Sequence, residues 1–352
     1  MILQRLSEAH GVSGHEEEVR SIILEEIRGR VEECRVDAVG NLIARRKGTG
    51  GSTLRVLAAA HMDEVGLMIT QVEDNGLLRF AKVGGIDDRV LPARAVLVGG
   101  KRVPGVIAIK PVHLTEKGER EKVIEWKQLT IDIGASGRAE AEKLVQRGDC
   151  VVFATEFRAL AGPGSAWRTV QGKAFDDRAG CAILAELLKE RFPFDLSAAF
   201  TVQEEVGLRG ARVAAYAENP DAAIVLECTG ANEVPAKQDV SPSTRIGLGP
   251  SITIRDNSFI ADPRLVEHFS AVARAQGIPH QYKQPNIGGT DAGAIQRVRE
   301  GVASIVLSVP ARYIHSPAAI MELGDFENAL RLAREALMRL PEALRAQGGT
   351  SA

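Results

Sequence analysis

This chain of 352 residues has few aromatic residues and almost no excess of either charge. Aromatic side chains make up 4% of it, and 44 Lys and Arg nearly balance 46 Asp and Glu, for a net charge of −2. A chain with no basic excess offers no broad positive surface to a nucleic acid or to an anionic membrane. We therefore expect neither as a partner.

Cysteines are few and long apolar runs are missing. Cys34, Cys150, Cys181 and Cys228 lie far apart and form no C-x-x-C pair. A chain of this length needs no disulfide framework, so reduced thiols and a cytoplasmic location are expected. Charges interrupt the apolar residues at the N-terminus, and no apolar run reaches the roughly 18 residues that suggest a membrane span. Neither a signal peptide nor a membrane-spanning helix is indicated.

Glycine is the residue in excess, with 35 in the chain. That is about a tenth of all residues, above the usual share of about 7%. Glycine outside low-complexity sequence indicates many tight turns and close backbone approaches. This composition favours an α/β enzyme over a helical bundle.

The pattern along the chain predicts one α/β domain that a second, β-rich domain interrupts. Helical spacing of apolar residues precedes an apolar strand at 54–60. Short β-like runs separated by glycine-rich turns follow from 65 to 161. Alternating strands and helices then return and continue to about residue 340. We therefore assign residues 1–64 and 162–352 to the larger domain and residues 65–161 to the insertion.

Histidines and carboxylates follow the predicted strands of the larger domain. In open α/β sheets, ligand sites collect at the carboxyl ends of the strands. Four predicted strands, at 54–60, 197–202, 222–226 and 302–309, are followed in turn by His61 and Asp63, by Glu204 and Glu205, by Glu227, and by His315. Asp176 and Asp177 stand at the start of the helix near 177.

Each of these residues has an ordinary explanation when it is considered alone. A lone His61 is more often a core histidine than a ligand, and Asp176 or Asp177 would serve as a helix N-cap. Glu204 and Glu205 alone would indicate a solvated turn. Histidines or carboxylates at five corresponding strand or helix ends are much less probable by chance than as parts of one site. We therefore predict that they form a common site.

Two divalent metal ions would fit this set of residues. Such a pair, about 3.5–4 Å apart, needs a bridging carboxylate, with a histidine and another carboxylate on each ion. Imidazole and carboxylate donors suit zinc, with cobalt or manganese as alternatives. One glutamate then remains to act on a metal-bound water molecule. The adjacent Glu204 and Glu205 can divide the two tasks, so that one binds metal and the other faces the water.

At this point the motifs resemble those of a known family, the tetrahedral aminopeptidases. These are glutamyl-aminopeptidase-like dinuclear metallopeptidases, some of which carry an endoglucanase label. The matching segments run through most of the chain: 13–20, 60–66, 105–107, 110–114, 131–135, 174–178, 203–211, 289–293 and 312–317.

The resemblance implies a role for each site residue. It implies that His61, Asp176 and Glu227 hold one metal, and that Asp176, Glu205 and His315 hold the other. Glu204 would be the general base, deprotonating the water between the metals and later protonating the leaving amine. Asp63 would orient His61 through its second ring nitrogen.

The same resemblance implies a zinc-peptidase-like fold, in which helices flank a central mixed sheet and the inserted domain is barrel-like. That inserted domain would serve for dimerisation, in a homo-oligomer of up to twelve subunits that admits short peptides. Glu227 departs from the commoner pattern, since many relatives have aspartate there. The longer side chain keeps the charge, changes the reach of the ligand and leaves the preferred metal open.

Several alternative functions stay open at the level of the sequence. A deacylase or a carboxypeptidase-like amidase could use the same scaffold and metals. A glycosidase would need two carboxylates free of metal and about 5–9.5 Å apart, which the accompanying histidines disfavour. A non-catalytic assembly protein would not need the full ligand set. The preferred first residue of the substrate is not indicated by any single position.

Overall fold

The computed structural model describes residues 1–116, 118–119, 121–160, 164, 168–233, 243–283 and 288–345. Its helices are Ile2–Glu8 (α1), Glu17–Ile27 (α2), Arg138–Leu144 (α3), Phe175–Leu187 (α4), Arg209–Glu218 (α5), Pro263–Ala275 (α6), Ala292–Ile295 (α7) and Leu323–Arg345 (α8). Its first nine strands are Glu33–Val36 (β1), Leu42–Arg46 (β2), Val56–His61 (β3), Gly66–Val72 (β4), Leu78–Val83 (β5), Ala95–Val98 (β6), Val103–Ile107 (β7), Ile131–Asp132 (β8) and Cys150–Phe153 (β9). The remaining strands are Arg158–Ala159 (β10), Thr169–Gly172 (β11), Leu196–Thr201 (β12), Ala222–Gly230 (β13), Ser251–Thr253 (β14), Gln281–Tyr282 (β15), Ala303–Arg312 (β16) and Ala319–Glu322 (β17). None of the described helices is both long and apolar enough to cross a bilayer.

A large mixed sheet forms the centre of the molecule. Among the described residues it has 11 strands, with β1-β2-β12-β3-β13-β16-β17-β11-β10 in order and β14 and β15 attached beside β16. The four neighbours β12, β3, β13 and β16 run parallel. Helices α1, α2, α4, α6 and α8 pack on one face, and α5 and α7 cover the other. This arrangement confirms the predicted α/β class, with a mixed sheet flanked by helices.

The second structural unit is a closed barrel with the strand order β4-β5-β8-β7-β6-β9. It encloses an apolar core of its own, which includes Leu67, Phe80 and Val151. Its strands lie between Gly66 and Phe153, within the predicted range of 65–161, while the predicted boundary at 161/162 lies outside the described residues. Strand β10, at the end of that range, pairs with β11 in the large sheet. The barrel-like insertion of the predicted fold class is therefore confirmed.

Gly66 marks the close approach of the two units. A Cβ atom at this position would lie 2.4 Å from the Val12 side chain and 2.8 Å from the Val151 carbonyl oxygen. Both distances are too short for any side chain larger than hydrogen. Glycine at position 66 thus lets the barrel begin directly beside the N-terminal segment.

The first helix, α1, is an element that the sequence patterns did not predict. It has only seven residues, and a helix of that length is marginal in water without tertiary contacts. Here Leu3 and Leu6 are buried, and the Arg178 guanidinium bonds to the Leu6 carbonyl. Contacts with α4, distant in sequence, therefore stabilise α1.

A buried cluster of charges joins α1, α4 and the start of the barrel. Glu64 accepts hydrogen bonds from Lys173 Nζ at 2.7 and 2.8 Å and from Arg178 Nη2 at 3.0 Å. Lys173 also donates to the Ala9 carbonyl at 2.7 Å, and Arg178 to the Met62 carbonyl at 2.8 Å. A buried ion pair of this kind holds geometry because every polar group in it has a partner. The cluster connects the segment just after His61 with the segments on both sides of Asp176.

We expect the change Arg178→Met to lower the free energy of unfolding by about 3–5 kcal/mol, because it leaves buried carbonyls and part of the Glu64 carboxylate without a partner. Urea denaturation followed by circular dichroism measures this. The matched control is Arg55→Met, because Arg55 pairs with Asp221 at the surface, where ion pairs add little. Equal midpoints for Arg178→Met and the unaltered protein would contradict the role of the cluster.

Candidate metal centre

The large sheet brings the predicted site residues together at one edge. His61 is the last residue of β3, Glu204 and Glu205 follow β12, and His315 follows β16. Glu227 lies inside β13, because β13 continues to Gly230. The last registered pair of β3 and β13 is Ala59 and Val225, and His61 and Glu227 each come two residues later in their strands.

Asp176 lies between the two histidines. Its Oδ1 is 3.2 Å from His61 Nε2, and its Oδ2 is 3.3 Å from His315 Nε2. Each carboxylate oxygen therefore faces a different imidazole. This is the arrangement that a carboxylate bridging two metal ions requires.

Three glutamates complete the surroundings of the histidines. Glu205 Oε1 is 3.3 Å from His315 Nε2, and Glu227 Oε2 is 3.7 Å from His61 Nε2. Glu204 Oε2 is 3.9 Å from the same His61 nitrogen. All three glutamate side chains are at most 11% exposed, so they are largely buried.

Asp177 has a different task from its neighbour. Its Oδ1 accepts a hydrogen bond from the Gly180 backbone N–H at 2.8 Å, and its Oδ2 accepts one from the His61 N–H at 3.2 Å. The bond to Gly180 is that of a helix N-cap, and the backbone at Asp176 and Asp177 is not helical. Asp177 also lies close to His61 and Glu227, but its two oxygens are engaged by the backbone. Asp176 keeps both of its oxygens for the histidines.

The second nitrogen of each histidine contacts a backbone carbonyl. His61 Nδ1 is 3.1 Å from the carbonyl oxygen of Asp63, with the Asp63 carboxylate at 3.4 Å. His315 Nδ1 is 3.0 Å from the carbonyl oxygen of Gly85, which belongs to the barrel. Such contacts set the orientation of the ring and leave Nε2 for a ligand. The barrel therefore helps to shape the site.

The loop that carries Glu204 and Glu205 is held through its backbone amides. Asp63 Oδ1 accepts from the Glu204 N–H at 3.0 Å, and Asp63 Oδ2 accepts from the Glu205 N–H at 3.1 Å and from Ser13 Oγ at 2.6 Å. Glu16 Oε1 accepts from the Gln203 N–H at 3.2 Å. Residues 13–16 belong to one of the sequence motifs that carry the family resemblance. The sequence did not indicate that Ser13 and Glu16 support the loop of Glu204 and Glu205, which only the structure shows.

Four residues at or beside the candidate site have left-handed backbone angles. Ala174, Gln203, Tyr313 and His315 all have positive φ angles, between 55° and 61°. Non-glycine residues in this left-handed region cost energy, and they cluster at functional sites where the surrounding structure enforces them. These angles turn the chain just before Asp176 and Glu204 and at His315.

The concentration of carboxylates changes the acidity of the whole site. Burial raises the pKa of Glu204 and of Glu227 well above that of an ordinary glutamate, and neighbouring carboxylates raise it further. Burial also raises the pKa of Glu205, to about 7. Burial alone would lower the pKa of His315, but Asp176 and Glu205 outweigh it and raise that pKa to about 9. The site therefore favours positive charge, which protons or metal cations would supply.

The donor set fits divalent cations. Two groups of side chains each bring one nitrogen or oxygen atom per residue to within 4.8 Å of one another. One group is His61, Glu204 and Glu205, and the other is Asp176, Glu205 and His315. Glu227 Oε1 is buried and has no hydrogen-bond partner among the described residues. Imidazole and carboxylate donors suit zinc, cobalt and manganese. A buried carboxylate oxygen that has no hydrogen-bond partner and lies next to a histidine is suited to bind a metal ion.

An open cavity of about 540 Å³ adjoins these residues. His61, Asp176, Glu204, Glu205, Glu227 and His315 all line it. Its volume is typical of a small-molecule or peptide-end pocket. Substrate could thus reach every one of the candidate ligands from this side.

Comparison with known proteins gives one consistent result. A model of the M42 glutamyl aminopeptidase family matches residues 40–332. A putative aminopeptidase of Acetivibrio thermocellus is 38% identical, with 96% of this chain and 97% of the relative covered. A lysyl aminopeptidase of Pyrococcus furiosus is 34% identical, with 96% of each covered.

Solved structures agree with the sequence relatives. A TET aminopeptidase from a marine sediment thaumarchaeon superposes with a TM-score of 0.92 at 38% identity, covering 97% of both chains. The TET1 peptidase of Pyrococcus horikoshii, described as able to assemble into a tetrahedron or a large octahedral shell, gives a TM-score of 0.83 at 38% identity, covering 96% of this chain and 98% of that one. The resemblance indicated by the sequence motifs is thereby confirmed.

We expect the purified protein to bind about two zinc ions per chain after incubation with excess metal and desalting, as two-metal sites do. The changes His61→Ala and His315→Ala should each reduce this number to about one, because each removes a nitrogen donor from a different ion. Plasma mass spectrometry against protein concentration measures the ratio. His268→Ala, on α6, where the imidazole contacts the Ala336 carbonyl oxygen, should keep two ions. A ratio near one in the unaltered protein would contradict the two-metal arrangement.

Proposed function

The chain belongs to the M42 glutamyl aminopeptidase family and is a peptide-bond hydrolase, and we propose that it removes N-terminal residues from short peptides at a two-metal centre. The observation that carries this proposal is the position of Asp176, with one oxygen toward each histidine. Glu227 and Glu205 add a second carboxylate on either side. A single-metal site would need only one histidine with its neighbouring glutamate, whereas here both pairs adjoin Asp176.

We assign the ligands in two sets that share Asp176. His61 and Glu227 would hold one ion, and His315 and Glu205 the other. Bound divalent cations would acidify a water molecule and polarise the carbonyl group of the scissile bond. The protein contributes the orientation of the two imidazoles through the carbonyl groups of Asp63 and Gly85.

Glu204 is the general base in this proposal. Its carboxylate would accept a proton from the attacking water and return that proton to the nitrogen of the leaving amine. Its Oε2 lies 3.9 Å from His61 Nε2 and borders the cavity, and the ligand sets are complete without it. The hydrogen bond from its N–H to Asp63 positions the Glu204 backbone. Asp63 is accordingly a positioning residue for Glu204 as well as for His61.

A homo-oligomer is the form that we propose for the active protein. The P. horikoshii relative is described as a tetrahedron or an octahedral shell. On this chain the barrel exposes large apolar side chains, among them Val106, Ile109, Val112 and Leu114. Exposed apolar residues grouped on one unit are typical of a subunit contact. A dimer formed through the barrel, as a building block for up to twelve subunits, would cover them.

The cellular location stays our prediction. All four cysteines are free thiols, and Cys150, Cys181 and Cys228 are buried. Free thiols suit the reducing conditions of a cytoplasm.

We expect Glu204→Gln to bind about two metal ions per chain and to lose at least about 100-fold in kcat, because an amide cannot accept the proton. Hydrolysis of aminoacyl-anilides and metal content would be measured on the same preparation. Glu300→Gln, at an exposed position, is the control and should match the unaltered protein. Full turnover by Glu204→Gln would exclude Glu204 as the base.

A substrate panel separates an aminopeptidase from a deacylase on the same scaffold. We expect hydrolysis of aminoacyl-anilides with a free α-amine and at least about 100-fold slower hydrolysis of the same compounds after N-acetylation, since loss of a buried polar partner can cost that much in specificity. The rates at saturating zinc would be compared under identical conditions. Faster cleavage of N-acylated amino acids would favour the deacylase.

A further inference from the structure

A second cavity, of about 360 Å³, borders the chain just after Glu204 and Glu205. The residues that line it are Gly207, Leu208, Arg212, Ala294 and Arg297. Leu208 also lines the larger cavity that adjoins the candidate metal ligands. The two cavities therefore adjoin each other at the Leu208 side chain.

The charge of this second cavity is positive, because its lining has two arginines and no carboxylate among the described residues. Arg212 lies on α5 and has no hydrogen bond or ion pair with any residue that the structure describes. Arg297 follows α7, and its Nε donates to the Gly293 carbonyl at 2.6 Å. Two like charges that line one cavity repel each other, and an anion between them would remove this repulsion.

A nearby arginine shows what a structural role would look like. The guanidinium of Arg299 lies over the ring of Tyr216, 4.1 Å from the ring centre, and its Nη2 donates to the Tyr216 carbonyl at 2.8 Å. Arg212 has no such contact among the described residues. Its planar group of N–H donors is suited to a carboxylate, so a ligand from outside the chain would give it a partner.

The path from Glu204 to these arginines is short. The N–H of Leu208 donates to the Glu204 carbonyl at 2.9 Å, so the chain makes one turn between them. Leu208 is the N-cap residue of α5, and Arg212 follows it by about one further helical turn. Two turns of about 5.4 Å amount to about 11 Å, which an extended peptide covers in about three to four residues.

We propose that Arg212 and Arg297 bind the C-terminal carboxylate of a short peptide whose N-terminal residue lies at the metal centre. This inference rests on the proposed aminopeptidase function. The carboxylate would accept charge-assisted hydrogen bonds from the two guanidinium groups. A peptide of about three to five residues has the length to reach from one cavity to the other, whereas a dipeptide is too short. The protein would thus favour free short peptides over the same residues at the start of a longer chain.

The test compares a tetrapeptide of leucine and three alanines with its C-terminal amide. Both have the same first residue and the same scissile bond, so a difference in release of leucine reports on the terminal charge. We expect kcat/KM for the free acid to exceed that for the amide by about 5- to 10-fold, between the effect of an exposed ion pair and that of a buried charged hydrogen bond. Added sodium chloride should reduce this ratio, because it screens the arginines.

Variants then connect the ratio to the two arginines. Arg212→Met should lower the ratio of acid to amide, and the double change Arg212→Met with Arg297→Met should bring it close to one. Each variant is measured on both tetrapeptides, so a general loss of activity cancels. Arg28→Met is the matched control and should keep the full ratio, because Arg28 is exposed just after α2, on the face of the large sheet opposite α5.

A dipeptide of leucine and alanine, with its amide, serves as the second control. Its carboxylate is too close to the scissile bond to reach the second cavity, so its ratio of acid to amide should be the same in Arg212→Met as in the unaltered protein. An equal fall of both ratios in Arg212→Met would overturn the inference, because that change would then act at the metal centre.

The possible results distinguish this inference from the proposed function. Equal kcat/KM for the tetrapeptide and its amide in the unaltered protein would overturn the role of the arginines and leave an aminopeptidase. A preference for the free acid that persists in the double variant would overturn it as well. Failure to cleave any of these peptides with metal bound would overturn the proposed function and this inference together. Arg212→Met decides the outcome even where the change at Arg297 prevents folding, since Arg212 has no partner to lose among the described residues.

Discussion

The structure depends on one electrostatic constraint: four carboxylates, those of Asp176, Glu204, Glu205 and Glu227, lie together in a largely buried site with only two imidazoles beside them. Buried carboxylates at this density resist ionisation, as their shifted pKa values reflect. Divalent cations would relieve that repulsion. The surrounding fold must hold these side chains in place against that repulsion, and the hydrogen bonds to Asp63, His61 and His315 do so.

Both structural units supply that support. The large sheet brings His61 and Glu227 together from the neighbouring strands β3 and β13, while the barrel orients His315 through the Gly85 carbonyl. Glu64 connects the units, since it follows Asp63 directly and pairs with Lys173 and Arg178 on either side of Asp176. An insertion placed just after the strand that ends in His61 therefore contributes to the candidate site as well as to a proposed subunit contact. The same close placement explains why glycine is needed at Gly66.

The sequence allowed much of the fold to be predicted, and it indicated the candidate residues that the structure brings together, for reasons that are local. Apolar strands such as 54–60 are recognisable because both faces are buried, and a polar residue directly after such a strand must lie at the sheet edge. The first helix could not be predicted, because its stability comes from Arg178, far along the chain. Strand β13 was predicted too short, because Glu227 interrupts its apolar run although the backbone pairing with β16 continues past it.

The sequence by itself determined which chemistry is available: two histidines and several carboxylates at the ends of parallel strands, in motifs that resemble one peptidase family. The resemblance selected Asp176 over the adjacent Asp177, but only the tertiary structure shows the physical reason, because the backbone amides of His61 and Gly180 engage Asp177 and Asp176 faces both histidines. The tertiary structure also brought Arg212 and Arg297 to one cavity. Periodicity describes neighbours along one element, whereas a cavity is formed by side chains from elements that meet only after folding.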